Sequence, residues 1–176
     1  MADKTTHLSC TCKAFRLAFR GSPIISTECH CNSCNQAASR LEPLTAQTVR
    51  TAHGGTRYVL YRKDRIGFPA GTDMLQEFRL HPHATTRRVL TSCCKTPIFL
   101  EFKGGHWLSL YGNLWQQDDL PPLDLRTMTE DADNLVPEDV PAGMLATTSF
   151  YTRLFMAWVA MRFKVPTVLV KGVIDA

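Results

Sequence analysis

Residues 14–20 read Ala14-Phe15-Arg16-Leu17-Ala18-Phe19-Arg20. Phe15, Leu17 and Phe19 alternate with small or charged neighbours, the period of two that gives a strand one buried face and one wet face. Working outward, Gly54-Gly55 precedes Arg57-Tyr58-Val59-Leu60-Tyr61, a run rich in β-branched and aromatic residues. Met74 to Leu80 alternates again, and Arg87–Thr91, Pro97–Phe102 and Trp107–Tyr111 read as further short strands. Gly104-Gly105 between the last two is a hairpin signal. Short strands separated by turn residues predict a mainly β fold of antiparallel sheets. A short helical turn is predicted after Cys34, through Gln36-Ala37-Ala38.

Composition narrows the class. The chain has 176 residues, 44% hydrophobic and 20% charged, which excludes collagen-like, largely disordered and coiled-coil readings. Its net charge of +4 is too mild to announce nucleic acid, and no recognition helix or aromatic-basic motif does so either. Charge is unevenly placed: residues 1–117 carry a net +8, residues 118–139 a net −7, and residues 140–176 a net +3. The predicted division is a β domain over 5–117, an acidic, Pro-containing linker or strap over 118–145, a C-terminal amphipathic helix over 146–165, and a tail over 166–176. Phe150, Tyr151, Leu154, Phe155, Trp158 and Val159 set the helical period, with Ser149 as cap and Pro166 as stop. That helix is expected to pack on the body or on a second subunit as a homodimer, with a membrane-surface helix as the alternative. No run approaches the ~18 apolar residues of a spanning helix. The polar N-terminus does not read as a signal peptide, so the expected compartment is the cytoplasm, where thiols stay reduced.

Seven cysteines carry the chemistry. Cys29, Cys31 and Cys34 form C-x-C-x-x-C, close enough for one loop to present three sulfurs to one ion. Three protein ligands suit an open, catalytic-type zinc site. A fourth from His53, His81, His83 or His106 would close it, while His30 is expected to point the other way. Cys10 and Cys12 on one loop and Cys94 on a distant one suggest a second site. Cys93 is either its fourth ligand or a small buried apolar residue.

These motifs together resemble the glutathione-dependent formaldehyde-activating family, to which centromere protein V belongs. The resemblance is carried by Ser9-Cys10-Thr11-Cys12, Cys29-His30-Cys31-Asn32-Ser33-Cys34, Leu60-Tyr61-Arg62 and Cys94-Lys95-Thr96-Pro97-Ile98-Phe99, and spans about residues 5–115. It implies a β-tent-like fold with one or two zinc ions, Cys10, Cys12 and Cys94 in a structural set and Cys29, Cys31 and Cys34 in a catalytic one. Two departures stand out. Thr91 occupies the place of a usual cysteine, and Lys13 and Lys95 occupy places usually held by glycine.

The implied activity is that of a carbon–sulfur lyase on adducts of a small thiol such as glutathione with small aldehydes. Arg57, Arg62, Arg65, Arg79, Arg87 and Arg88 are candidates for holding the carboxylates of such a thiol, and His81 and His83 for acid–base work. Two other readings stand beside it: a non-catalytic, zinc-stabilised module that binds a protein or nucleic acid, and redox chemistry at Cys93 and Cys94.

Overall fold

The computed structural model describes residues 5–174; residues 1–4 of the polar N-terminal stretch and 175–176 of the predicted tail lie outside the described residues. The chain runs through β1 (Thr5–Ser9), β2 (Arg16–Arg20), β3 (Ile25–Cys29), α1 (Asn32–Leu41), β4 (Thr56–Arg62), β5 (Ile66–Ala70), β6 (Leu75–Phe78), β7 (Thr86–Thr91), β8 (Pro97–Phe102), β9 (Trp107–Tyr111), β10 (Leu125–Thr127), α2 (Gly143–Ala160) and β11 (Gly172–Val173). The fold is mainly β, as alternation predicts. A three-stranded sheet has the order β1-β2-β5, and an eight-stranded sheet the order β10-β3-β4-β9-β8-β7-β6-β11. Pairing is antiparallel except at the two ends of the large sheet, where β10 lies parallel to β3 and β11 parallel to β6.

The large sheet is buried on both faces, so the period of two sorts its residues between two cores. Val59, Tyr61, Val89, Phe99 and Leu110 meet Phe15, Leu17 and Phe19 of the small sheet. Their strand neighbours Tyr58, Leu60, Leu100 and Tyr111 pack on the opposite side with Cys34 of α1 and Leu154 of α2. Both cysteine motifs flank β-strand ends, and the second face carries the pocket described below.

The acidic segment is partly sheet. The Ser26 amide donates to Asp124 Oδ2 at 2.8 Å and the Asp124 amide to Ser26 O at 2.9 Å, which seats β10 on the edge of β3. Arg57 reaches Pro121 O at 2.7 Å, and buried Arg126 donates to Pro137 O at 2.9 Å and pairs with Asp139. The tail is anchored too: Arg87 donates to Val168 O at 2.7 Å, and the Ile174 amide to Glu77 O at 2.8 Å.

The C-terminal helix differs from its predicted bounds of 146–165. It starts at Gly143, whose φ of 78° turns the chain into it, and Ser149 lies inside rather than at the cap. It stops at Ala160 because Arg162 and Phe163 take left-handed φ values of 53° and 59°; Pro166 comes too late to end it. The predicted apolar stripe is split. Leu154 is buried and Phe150 and Trp158 half-buried, while Tyr151, Phe155, Met156 and Val159 are exposed. None of the described helices is long and apolar enough to cross a membrane.

Candidate metal centres

The inner cysteine group is built where a strand becomes a helix. Cys29 ends β3, opposite Thr56 and Thr127. Cys31 takes the extended conformation (φ −61°, ψ 150°) of a residue preceding a helix and makes no side-chain cap hydrogen bond. The amides of Cys34 and Asn35 close onto Cys31 O at 2.9 and 3.1 Å, placing Cys34 in the first turn of α1. The sulfurs of all three lie within 4.8 Å of one another. Strand alternation turns His30 to the opposite side, where its Nε2 lies 2.9 Å from Glu28 Oε1.

Electrostatics concentrates one negative charge in this group. Contacts with the thiols of Cys29 and Cys34, then the Cys34 amide and the Arg88 guanidinium, pull the Cys31 thiol far below its ordinary range against the cost of burial. Its neighbours respond in the other direction. Cys29 is pushed up chiefly by its contact with Cys31, and Cys34 by its contacts with Cys29 and Cys31 and by burial. The positive end of α1 lies at the same place, and Asp131 Oδ2 accepts from the Asn32 amide there at 3.2 Å.

The three sulfurs line a cavity of about 620 Å³. Tyr58, Leu60, Leu100, Trp107 and Phe150 wall it, and exposed His81 and His83 stand at its rim. Tyr58 OH is 3.7 Å from Cys34 Sγ, and its ring lies 5.0 Å from that of Tyr111. Of the six candidate arginines only Arg88 lines this cavity. It is fully buried and donates through Nη2 to Ser33 O at 3.0 Å and Ser33 Oγ at 2.9 Å. The remaining histidines lie elsewhere. His53 shares a separate polar cleft with His30, and His106 is docked on α2 through Nε2 and Leu154 O at 2.9 Å. The aromatic wall was not singled out from the sequence. Its signal was the alternate positions of β4, β8 and β9, which count as core until the pocket is seen.

The outer group joins two loops distant in sequence. Cys10 Sγ lies 3.5 Å from Cys12 Sγ and 3.8 Å from Cys93 Sγ, Cys12 and Cys93 are 3.3 Å apart, and Cys93 and Cys94 are 3.7 Å apart. All four sulfurs fall within 4.8 Å of one another. Cys93 is exposed, which overturns the reading of it as a small buried apolar residue. Thr91 ties the loop: its Oγ1 accepts from the Thr96 amide at 3.2 Å and sits 3.4 Å from Cys94 Sγ. Burial opposes ionisation of Cys94, yet the hydroxyls of Thr91 and Thr96 bring its thiol down to about 5. The Phe15 amide donates to Cys10 Sγ at 3.3 Å. Lys13 (φ 64°) and Lys95 (φ 53°) both hold the left-handed conformation that a glycine would take without strain.

Both groups could hold a metal ion, and their all-sulfur donor sets are of the kind that zinc takes. A tetrahedral ion with sulfur at about 2.3 Å sets its ligands about 3.8 Å apart, and soft thiolates are the donors it prefers.

No protein-family model matches the chain, and no curated protein matches it. Among solved structures it is similar to a crystal structure of a Rhodobacter sphaeroides protein, with 11% identity, 67% of this chain and 97% of that chain covered, and a TM-score of 0.47. A likeness of that size carries no weight for function.

Proposed function

We propose that Cys29, Cys31 and Cys34 hold a zinc ion and that the chain is a zinc-dependent carbon–sulfur lyase-like enzyme acting on thiol adducts of small aldehydes. This is the activity of the formaldehyde-activating family that its cysteine motifs resemble, where the thiol is glutathione. The observation that carries the reading is the placement of three clustered sulfurs in the wall of a cavity, with room beside them for a substrate. Zinc, when bound, supplies the means to keep a thiol ionised near neutral pH. In the reaction the thiol sulfur bonds to the aldehyde carbon and the thiol proton ends on the carbonyl oxygen; the lyase direction reverses both.

The chain's own groups do the rest. Arg88 faces the sulfurs with a buried positive charge and is held in place by Ser33. Tyr58 and the apolar wall exclude water from the sulfur. His81 and His83, at the rim, are the groups placed to exchange a proton with solvent. The outer group, Cys10, Cys12, Cys93 and Cys94, holds a second zinc in a structural role, with its sulfurs directed at one another.

Two zinc ions per chain, falling to one in Cys31→Ser and to one in Cys10→Ser, are expected. So is adduct formation above the uncatalysed rate when the zinc-loaded protein meets glutathione or other thiols and a panel of aldehydes, lost in Cys31→Ser. No acceleration with any pair would refute the enzymatic reading. One observation favours a second reading, a metal-stabilised module that binds a protein: the exposed apolar flank of α2 formed by Met144, Leu145, Phe155 and Met156.

A further inference from the structure

We propose that the thiol accepted by this cavity is neutral and apolar, an arylalkyl or branched alkyl thiol, in place of a dicarboxylate such as glutathione. The inference rests on the cavity being the thiol site proposed above, and it names the class of thiol.

Size comes first. At about 620 Å³ the cavity is in the range that holds a whole drug-sized ligand, so part of the substrate beyond the sulfur and the aldehyde carbon occupies it. The walls then say what that part is. Leu60, Leu100, Phe102, Trp107 and Phe150 come from three strands of one sheet face and from α2. Such a wall gains by covering hydrocarbon and offers a carboxylate nothing.

Charge points the same way. Glutathione brings two carboxylates and one ammonium. No lysine and a single arginine line the cavity. Arg57 is spent on Pro121 O, Arg62 on Asp64, Arg79 on Glu77, and Arg87 on Glu77 and Glu101, and Arg65 borders a different cleft. Arg88 remains, and its charge is already matched. Three thiolates around a divalent ion leave one negative charge in excess, and Arg88 stands against it. Its Nε and Nη1 have no hydrogen-bond partner, but both atoms are buried, so they present charge rather than an open fork for an entering carboxylate. Each further carboxylate would enter an already anionic, largely apolar site whose remaining polar lining, the hydroxyls of Thr27, Thr85, Thr86, Ser109 and Thr127 and the rim imidazoles of His81 and His83, includes no further lysine or arginine to pair with it.

The test uses full-length protein loaded with Co²⁺, whose absorption reports sulfur binding without turnover. It is titrated with phenylmethanethiol, with 4-(mercaptomethyl)benzoate, which adds one carboxylate at nearly the same size, and with glutathione. Phenylmethanethiol is expected to half-saturate at a concentration at least tenfold below either acid. Trp107→Ala and Phe150→Ala are each expected to raise that concentration several-fold, and by a clearly larger factor than they raise that of 2-mercaptoethanol, which covers less of the wall. Equal or tighter binding of either acid would overturn the inference and leave the thiol site standing. A spectrum that no thiol perturbs would remove the thiol site, and the inference with it.

Discussion

The two cysteine groups use the same donor atom on different backbones. The inner group places three sulfurs at a strand-to-helix junction and turns them toward a cavity. The outer group places four sulfurs on two loops, two of them on each, and turns them toward one another. The inner group is local: residues 29–34 suffice to assemble it. The outer group brings together residues 83 apart in the chain, Cys10 and Cys93. On the proposed reading the short segment leaves a coordination position for a substrate, while the long-range group, once it holds a metal, acts as a clip on the fold. Number of sulfurs, span and facing are the differences on which the two proposed roles rest.

The most damaging way to probe that contrast is to open the clip. Closing a loop of this length is worth about 4 kcal/mol in chain entropy by analogy with a disulfide, or roughly 10 °C in a protein of this size. Cys10→Ser is therefore expected to lower the melting temperature of zinc-loaded protein by about that amount, and Cys31→Ser by less than about 3 °C, both read by calorimetry. If Cys31→Ser proves the more destabilising, the assignment of roles is reversed.

A smaller effect would sharpen the picture of the outer loops. Lys13 and Lys95 hold left-handed φ angles at a cost of about 1 kcal/mol each, which glycine avoids at some cost in chain entropy. Lys13→Gly is expected to stabilise by about 0.5 kcal/mol, and Lys13→Ala, which keeps the strain, to bring no gain. Lys95→Gly should gain less, because Lys95 Nζ also donates to Gln76 Oε1 at 2.9 Å. Denaturant titration resolves the pair, and a destabilising Lys13→Gly would show that the lysine side chain itself matters.

The smallest effect lies on the cavity side. Burial, with help from nearby Lys63 and Arg62, outweighs the Leu154 carbonyl and holds the His106 ring below its ordinary value. A histidine lowered in this way is neutral in the fold, so its contribution is complete above the unfolded value of about 6.5 and is lost as pH falls through the folded value. Amide protection along α2, taken relative to the intrinsic exchange rate at each pH, is expected to fall between pH 7 and 5 in wild type and not in His106→Phe, with the outer loops unaffected. Protection flat across that window in wild type would mean that His106 does not set the docking of α2.

Much of this was legible in the residues. Alternation located β2 and β6, because a half-buried strand must sort its side chains by face, and short runs of strand-forming residues between turn signals located β4, β7, β8 and β9. Spacing located Cys29, Cys31 and Cys34. The edge strands β10 and β11, three and two residues long, were not legible. They are too short to show a period, and they exist through hydrogen bonds offered by β3 and β6. Nor could the sequence tell Arg88 from five other arginines, since a guanidinium alternating along a strand looks the same whether it faces water or a pocket.

Sequence alone thus determined the class of fold and the donor atoms, since period and short-range spacing are properties of neighbouring residues. Tertiary structure alone decided that Cys93 joins Cys10 and Cys12, that Arg88 stands against the inner sulfurs, and that an aromatic wall encloses them. Those contacts unite strands tens of residues apart, and the packing of one sheet face against α1 and α2 creates them; no local pattern encodes them.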